Sequence, residues 1–198
     1  MIADILAHLS IVAAALLTAL AIALPVGIAT ERGTLPTTAV MGTLGAIYTI
    51  PSLALLALLV QLFGLGVAPL FVALVAYAQF MLVRNVIAGL RGVDPSVREA
   101  ARGLGMSSRE QLVRVDLPLA MPVIVGGVRT AAIAMIALAT LGGYVGAGGL
   151  GVLIFTGLAI HHNDMIVEGS LAVCSLAVAT DMLLRVLERA LRRGLALM

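Results

Sequence analysis

Few side chains in this chain could do chemistry. Of 198 residues only 11% are charged; all twelve cations are arginines and ten residues are acidic. Without lysine there is no Walker-type phosphate loop, which requires one, so any nucleotide chemistry has to come from another subunit. Cys174 is the single cysteine, which excludes an intrachain disulfide. His161, His162 and Asp164 offer donors for a metal. Adjacent histidines point in different directions on a helix, however, and no third histidine or cysteine lies near, so the pattern suits an exposed loop at the outer surface. No nucleophile–base pair is visible, and an enzyme is the least supported class.

The charged residues are concentrated. Arg91 to Pro122, RGVDPSVREAARGLGMSSREQLVRVDLPLAMP, is the only long polar segment; it holds five arginines, with Arg84 just upstream. The rest is nearly all apolar, with 62% hydrophobic residues and a mean hydropathy of +1.16. A soluble domain carries about 25% charged residues, so this chain is expected to be all-α, a single polytopic membrane domain over residues 1–198. A porin-type barrel would show short alternating strands instead. Apolar runs at 5–29, 37–63, 67–89, 122–144 and 165–187 are each long enough to cross a bilayer at 1.5 Å per residue, giving about five transmembrane helices. Pro51 divides the second run into 37–49 and 51–63.

The polar insert, 90–121, is expected to hold two short helices. Asp94 can cap the first, from Ser96 to Gly105, which Gly103 and Gly105 close. Ser107 or Ser108 can cap the second, which Pro118 is expected to stop. Six glycines between Gly142 and Gly151 predict an ordered turn after the fourth span. Arginine falls in alternate loops, around Arg32, in the insert and in the tail from Arg185 to Arg193. The positive-inside rule then places the N-terminus outside and the insert and C-terminus in the cytoplasm. A basic n-region is missing, which argues for a retained first span rather than a cleaved signal.

Ionisable residues within spans are functional candidates by default. Asp181 lies one turn from Arg185, and an intrahelical pair accounts for it; Glu168 lies near the outer end and can reach water. Arg129 sits some two turns into the fourth span, where it can snorkel, pair across a dimer or line a gate. Cys174 and the methionines are read as packing residues.

Within the insert, Glu99-Ala100-Ala101 is followed by three residues, Gly105, nine residues, and then Val115-Asp116-Leu117-Pro118. This resembles the EAA signature of permease subunits of binding-protein-dependent ABC importers: EAA, three residues, Gly, nine residues, Ile, any residue, Leu-Pro. Val115 in place of Ile is the one departure. The segments TIPSLALLALL (Thr49 to Leu59), RNVIAGLRGVDPSVREAARGLGM (Arg84 to Met106) and VGAGGLGVLIFTGLA (Val145 to Ala159) resemble the osmoprotectant branch, the permeases for glycine betaine, carnitine or choline.

The resemblance implies a type I importer fold with a cytoplasmic coupling helix. It implies partners: two ABC ATPase subunits, a second permease copy or a similar permease, an extracytoplasmic substrate-binding protein and the lipid bilayer, with no nucleic acid. It implies no cofactor in this chain, ATP and Mg being bound by the partner subunit. The chain ends at Met198 soon after its fifth span, so no fused binding domain is expected. Glu99, Ala100, Ala101, Gly105, Leu117 and Pro118 are expected to couple to the ATPase, with Arg98 and Arg102 at the rim. Arg129, Tyr48 and Tyr144 are candidates for a gate or pathway. Tyr48, Tyr77, Tyr144 and Phe80 could pass a quaternary ammonium by cation–π contact, although ordinary packing explains them more simply. The alternatives are the same importer with methionine or another amino-acid derivative as cargo, or an ATP-independent carrier or channel, for which repeat halves and mid-membrane charges would be expected.

Overall fold

The computed structural model describes residues 1–195, and every regular element in it is helical. Helix α1 spans Ile2–Glu31, α2 Thr37–Thr49, α3 Ser52–Phe63 and α4 Val67–Arg91. In the polar insert, α5 spans Pro95–Gly103 and α6 Ser108–Gln111, followed by a π-helical stretch, Leu112–Asp116. Then come α7 (Leu117–Ala139), α8 (Gly142–Val145), α9 (Gly151–Ala159) and α10 (Asn163–Leu195). Four helices are long and apolar enough to cross a membrane: Ile2–Glu31, Val67–Arg91, Ser108–Ala139 and Asn163–Arg193. The pair α2 and α3 supplies a fifth if counted as one span, bent by 92°.

The core is a stack of α1 on α4, α4 on α7 and α7 on α10. In lipid, apolar burial does not by itself bring helices together, so close packing of small residues must. Helix α1 shows how. Its buried residues, Val12, Ala15, Ala19, Ala23 and Gly27, recur every three or four positions. A Cβ at Gly27 would lie 2.5 Å from Val86 Cγ1, so α4 could not come as close to any other residue. Two polar ties cross this core: Gln79 donates to Ala19 O at 3.1 Å, and His8 Nε2 bonds Ile136 O at 3.0 Å.

The run 37–63 divides at Pro51, as expected, into α2 and α3; two other expectations about element limits change. Ile50 precedes Pro51 and is extended (φ −63°, ψ 130°), because proline excludes the helical conformation from its predecessor. The freed Ile50 carbonyl accepts a hydrogen bond from the Tyr77 hydroxyl. Pro118 does not stop the second short helix, because the chain stays helical from Ser108 to Ala139. A proline ring collides with the carbonyl four residues back in a regular helix; the wider π turn just ahead makes room for it. The helix that carries the span expected over 122–144 therefore starts earlier, at Ser108, and ends at Ala139. Gly142 to Gly151 forms an ordered turn around α8. Here a Cβ on Gly151 would sit 1.8 Å from Thr140 O, so the two backbones touch.

Candidate coupling site

The sequence of the insert builds its shape locally. The Asp94 carboxylate accepts from the Ser96 N–H and hydroxyl, both at 2.8 Å, and Pro95 occupies the first turn of α5, where a missing N–H costs nothing. Those bonds, the hydroxyl's first, hold the Asp94 carboxyl below its ordinary pKa. At the other end, Met106 N–H bonds Ala101 O (3.2 Å) and Gly105 N–H bonds Arg102 O (2.9 Å). That pair of bonds is a Schellman closure, and it puts Gly105 in the left-handed region, φ +79°. The glycine six residues after Glu99 is thus the residue that stops the helix and reverses the chain. Ser107, rather than Ser108, caps α6. It forms a capping box with Glu110, whose Oε2 accepts from Ser107 N–H at 3.0 Å and from its hydroxyl at 2.8 Å. These bonds, the hydroxyl's first, lower the Glu110 pKa as well.

The two faces of α5 differ. Glu99, Ala100, Arg102 and Leu104 are exposed, Leu104 by 79%. Ala101, expected beside Ala100 on the partner-facing side, is only 4% exposed and packs inward. Arg98, expected at the rim with Arg102, turns inward too. Its Nε donates to Asp116 Oδ1 (3.1 Å), Nη1 to Glu31 Oε1 (3.1 Å) and Nη2 to Leu90 O (2.7 Å). One guanidinium thereby ties α5 to the ends of α1 and α4 and to the π stretch that leads into α7. Asp116 is 4% exposed and also accepts from Gln111 Nε2 at 3.4 Å. Arg32 adds a bond to Ser108 O at 2.7 Å. A polar cavity of about 370 Å³ lies among Glu31, Arg32, Arg98, Arg102 and Asp116. Leu117 packs on the small core of Val86, Leu90, Ala120 and Ile124, with half-buried Pro118 beside it.

The spacing of the motif acquires a cause. The closure at Gly105, the cap at Ser107 and the π turn bring Asp116 back under Arg98, so the two ends of the signature meet. Asp116 is the position the pattern leaves free, and Glu31 lies outside it. Their one signal in the sequence is an acidic residue close to an arginine, Glu31 next to Arg32 and Asp116 two residues after Arg114.

The other candidates lie elsewhere. Arg129 pairs within its own chain, with Asp181 at 3.3 Å and Glu188 at 3.6 Å on α10, partners the sequence did not suggest. Asp181 also holds Arg185 at 2.6 Å, the intrahelical pair expected. Tyr144 is exposed and lies against Phe155, ring centres 5.7 Å apart. Tyr48 instead joins Tyr77 and Phe80. His161, His162, Asp164 and Glu168 are exposed where α9 turns into α10, and along its first turns.

The family profile described as "Binding-protein-dependent transport system inner membrane component" matches residues 19–193, which includes the whole insert and its signature. The chain belongs to this family. The permease is 39% identical over 181 residues to the carnitine transport permease protein OpuCB of Listeria monocytogenes, covering 91% of this chain and 83% of the relative. It is 39% identical over 182 residues to the glycine betaine/carnitine/choline transport system permease protein OpuCB of Bacillus subtilis (strain 168), covering 92% and 84%. Its fold is that of the inward-facing MetNI methionine ABC transporter, with a TM-score of 0.87 at 21% identity over 96% of this chain and 95% of that one. The permease is therefore a multi-pass inner-membrane transport subunit with a type I importer fold.

Proposed function

We propose that this permease forms half of the transmembrane passage of an ATP-driven importer whose cargo is a small osmoprotectant of the glycine betaine, choline or carnitine class. Two separate ATPase subunits bind ATP and Mg and seat on the exposed face of α5, where Glu99, Ala100 and Arg102 project. An extracytoplasmic binding protein delivers the cargo, and a second permease, identical or similar, completes the passage. The insert and C-terminus lie in the cytoplasm. The carrying observation is the α5 clamp. A short helix exposes one face to a partner while Arg98 fastens its other face to three parts of the bundle. A push on α5 therefore reaches α1, α4 and α7 together as a rigid-body movement. The cargo class is supported by the two named relatives.

The test is uptake in proteoliposomes holding the permease, its ATPase and its binding protein. Glycine betaine, choline or carnitine should accumulate only with ATP. Glu99→Arg or Gly105→Pro, assembled normally, should abolish accumulation. Uptake that persists without the ATPase would sink the importer reading, and binding of an amino acid alone by the binding protein would overturn the cargo.

A further inference from the structure

The break between α2 and α3 opens a cavity of about 410 Å³, within the range of about 300–1,000 Å³ typical of small-ligand sites. Tyr77 lies ten residues into α4, about 15 Å along it at 1.5 Å per residue, near the middle of a hydrocarbon core about 30 Å thick. Irregular backbone at mid-membrane is tolerated only if it lines a cavity or is covered by protein, and secondary transporters place substrate sites at such breaks.

The wall is chemically selective. It carries no charged side chain: Tyr48 and Tyr77 face it with Met81, Met135 and Ser52. Phe80 stacks behind Tyr48, ring centres 5.1 Å apart and planes at 22°, and Tyr77 meets Tyr48 edge-on at 6.0 Å. The Tyr77 hydroxyl is spent on Ile50 O, which fixes its ring. An inorganic cation would need several oxygen ligands to replace its water, and an anion would need cationic donors; the wall provides neither set. Aromatic faces and thioethers instead suit a cation whose charge is spread over methyl groups and whose surface is apolar.

We propose that this cavity is a transit site for a quaternary ammonium ion, held over the rings of Tyr48 and Tyr77. The proposal rests on the cargo class of the proposed function and deepens it. It puts a selective step inside the permease, after release from the binding protein.

The experiment uses the permease–ATPase complex in nanodiscs without binding protein and measures equilibrium binding of radiolabelled choline. Saturable binding is expected. Dimethylbutanol, the uncharged carbon isostere of choline, should compete roughly tenfold less well than choline, since a cation–π contact supplies the difference. Tyr48→Leu should weaken choline binding roughly tenfold, while Tyr48→Phe keeps the ring face and wild-type affinity. Phe63→Leu, exposed at the end of α3 and outside the cavity wall, serves as the control. Absence of saturable binding, equal competition by the isostere, or unchanged affinity in Tyr48→Leu would each overturn the transit site. If the full transporter still imports choline in that case, only the transit site falls. If it imports no quaternary ammonium at all, the cargo reading falls with it.

Discussion

Arg98 concentrates the coupling argument in one side chain. Its guanidinium faces two carboxylates and a helix-terminal carbonyl, and removing it strands the buried Asp116 charge. Breaking such a pair costs about 3 kcal/mol or more. Arg98→Ala should lower the melting temperature of the purified complex and abolish uptake, while ATP hydrolysis by the partner persists. Arg98→Lys retains the charge, but its compact ammonium lacks the planar fork whose Nε, Nη1 and Nη2 each reach a different acceptor, so it should recover part of the stability and less of the coupling. The caps of α5 and α6 carry a pH signature. Asp94 and Glu110 have pKa values lowered by bonds made only in the folded insert. Their stabilisation is complete above the unfolded carboxylate range and is lost as pH falls through the lower folded values. Hydrogen-exchange protection of α5 and α6 should therefore be flat at neutral pH and fail only below the ordinary carboxylate range.

At the scale of elements, glycines set how near two helices can come. Gly151 lies against the Thr140 carbonyl with no room for a methyl group, whereas a Cβ on Gly42 in α2 meets nothing within 4 Å. Gly151→Ala should cost at least about 2 kcal/mol by overpacking and reduce the yield of assembled protein. Gly42→Ala should be neutral or stabilise by about 0.5–1 kcal/mol through lost unfolded-state freedom. Thermal unfolding in detergent separates the two. Gly105→Ala tests the Schellman closure: an L-residue held at φ +79° costs about 1 kcal/mol, enough to weaken uptake without preventing assembly.

For the whole molecule, the test is orientation. In a Cys174→Ala background, Arg109→Cys places a thiol on the exposed insert and Asn163→Cys places one at the exposed start of α10. A membrane-impermeant thiol reagent added to intact cells should label Asn163→Cys and spare Arg109→Cys until the membrane is opened. The reverse pattern would invert the proposed topology. Helix α10 and the outer face of α3 leave large apolar side chains such as Leu62, Leu171 and Leu183 uncovered, which is how a chain looks when lipid completes its surroundings.

Composition alone required a helical membrane protein, because a chain with 11% charge cannot cover itself with polar surface in water. The EAA spacing, with Asp94 and Gly105 as helix boundaries, was equally legible, because caps and left-handed glycines act within a few residues of sequence. What the tertiary structure decided is long-range. Periodicity cannot show that Arg98 and Ala101 face inward, since which side of α5 meets the bundle depends on where α1 and α4 end. Nor does the sequence pair Arg129 with a helix some fifty residues on, bend the second span through 92°, or gather Tyr48, Tyr77 and Phe80 around one cavity. Pro118 shows the limit most directly. Locally it reads as a stop, yet the π turn that precedes it, with Asp116 held on Arg98, makes room for the ring and the helix runs on to Ala139.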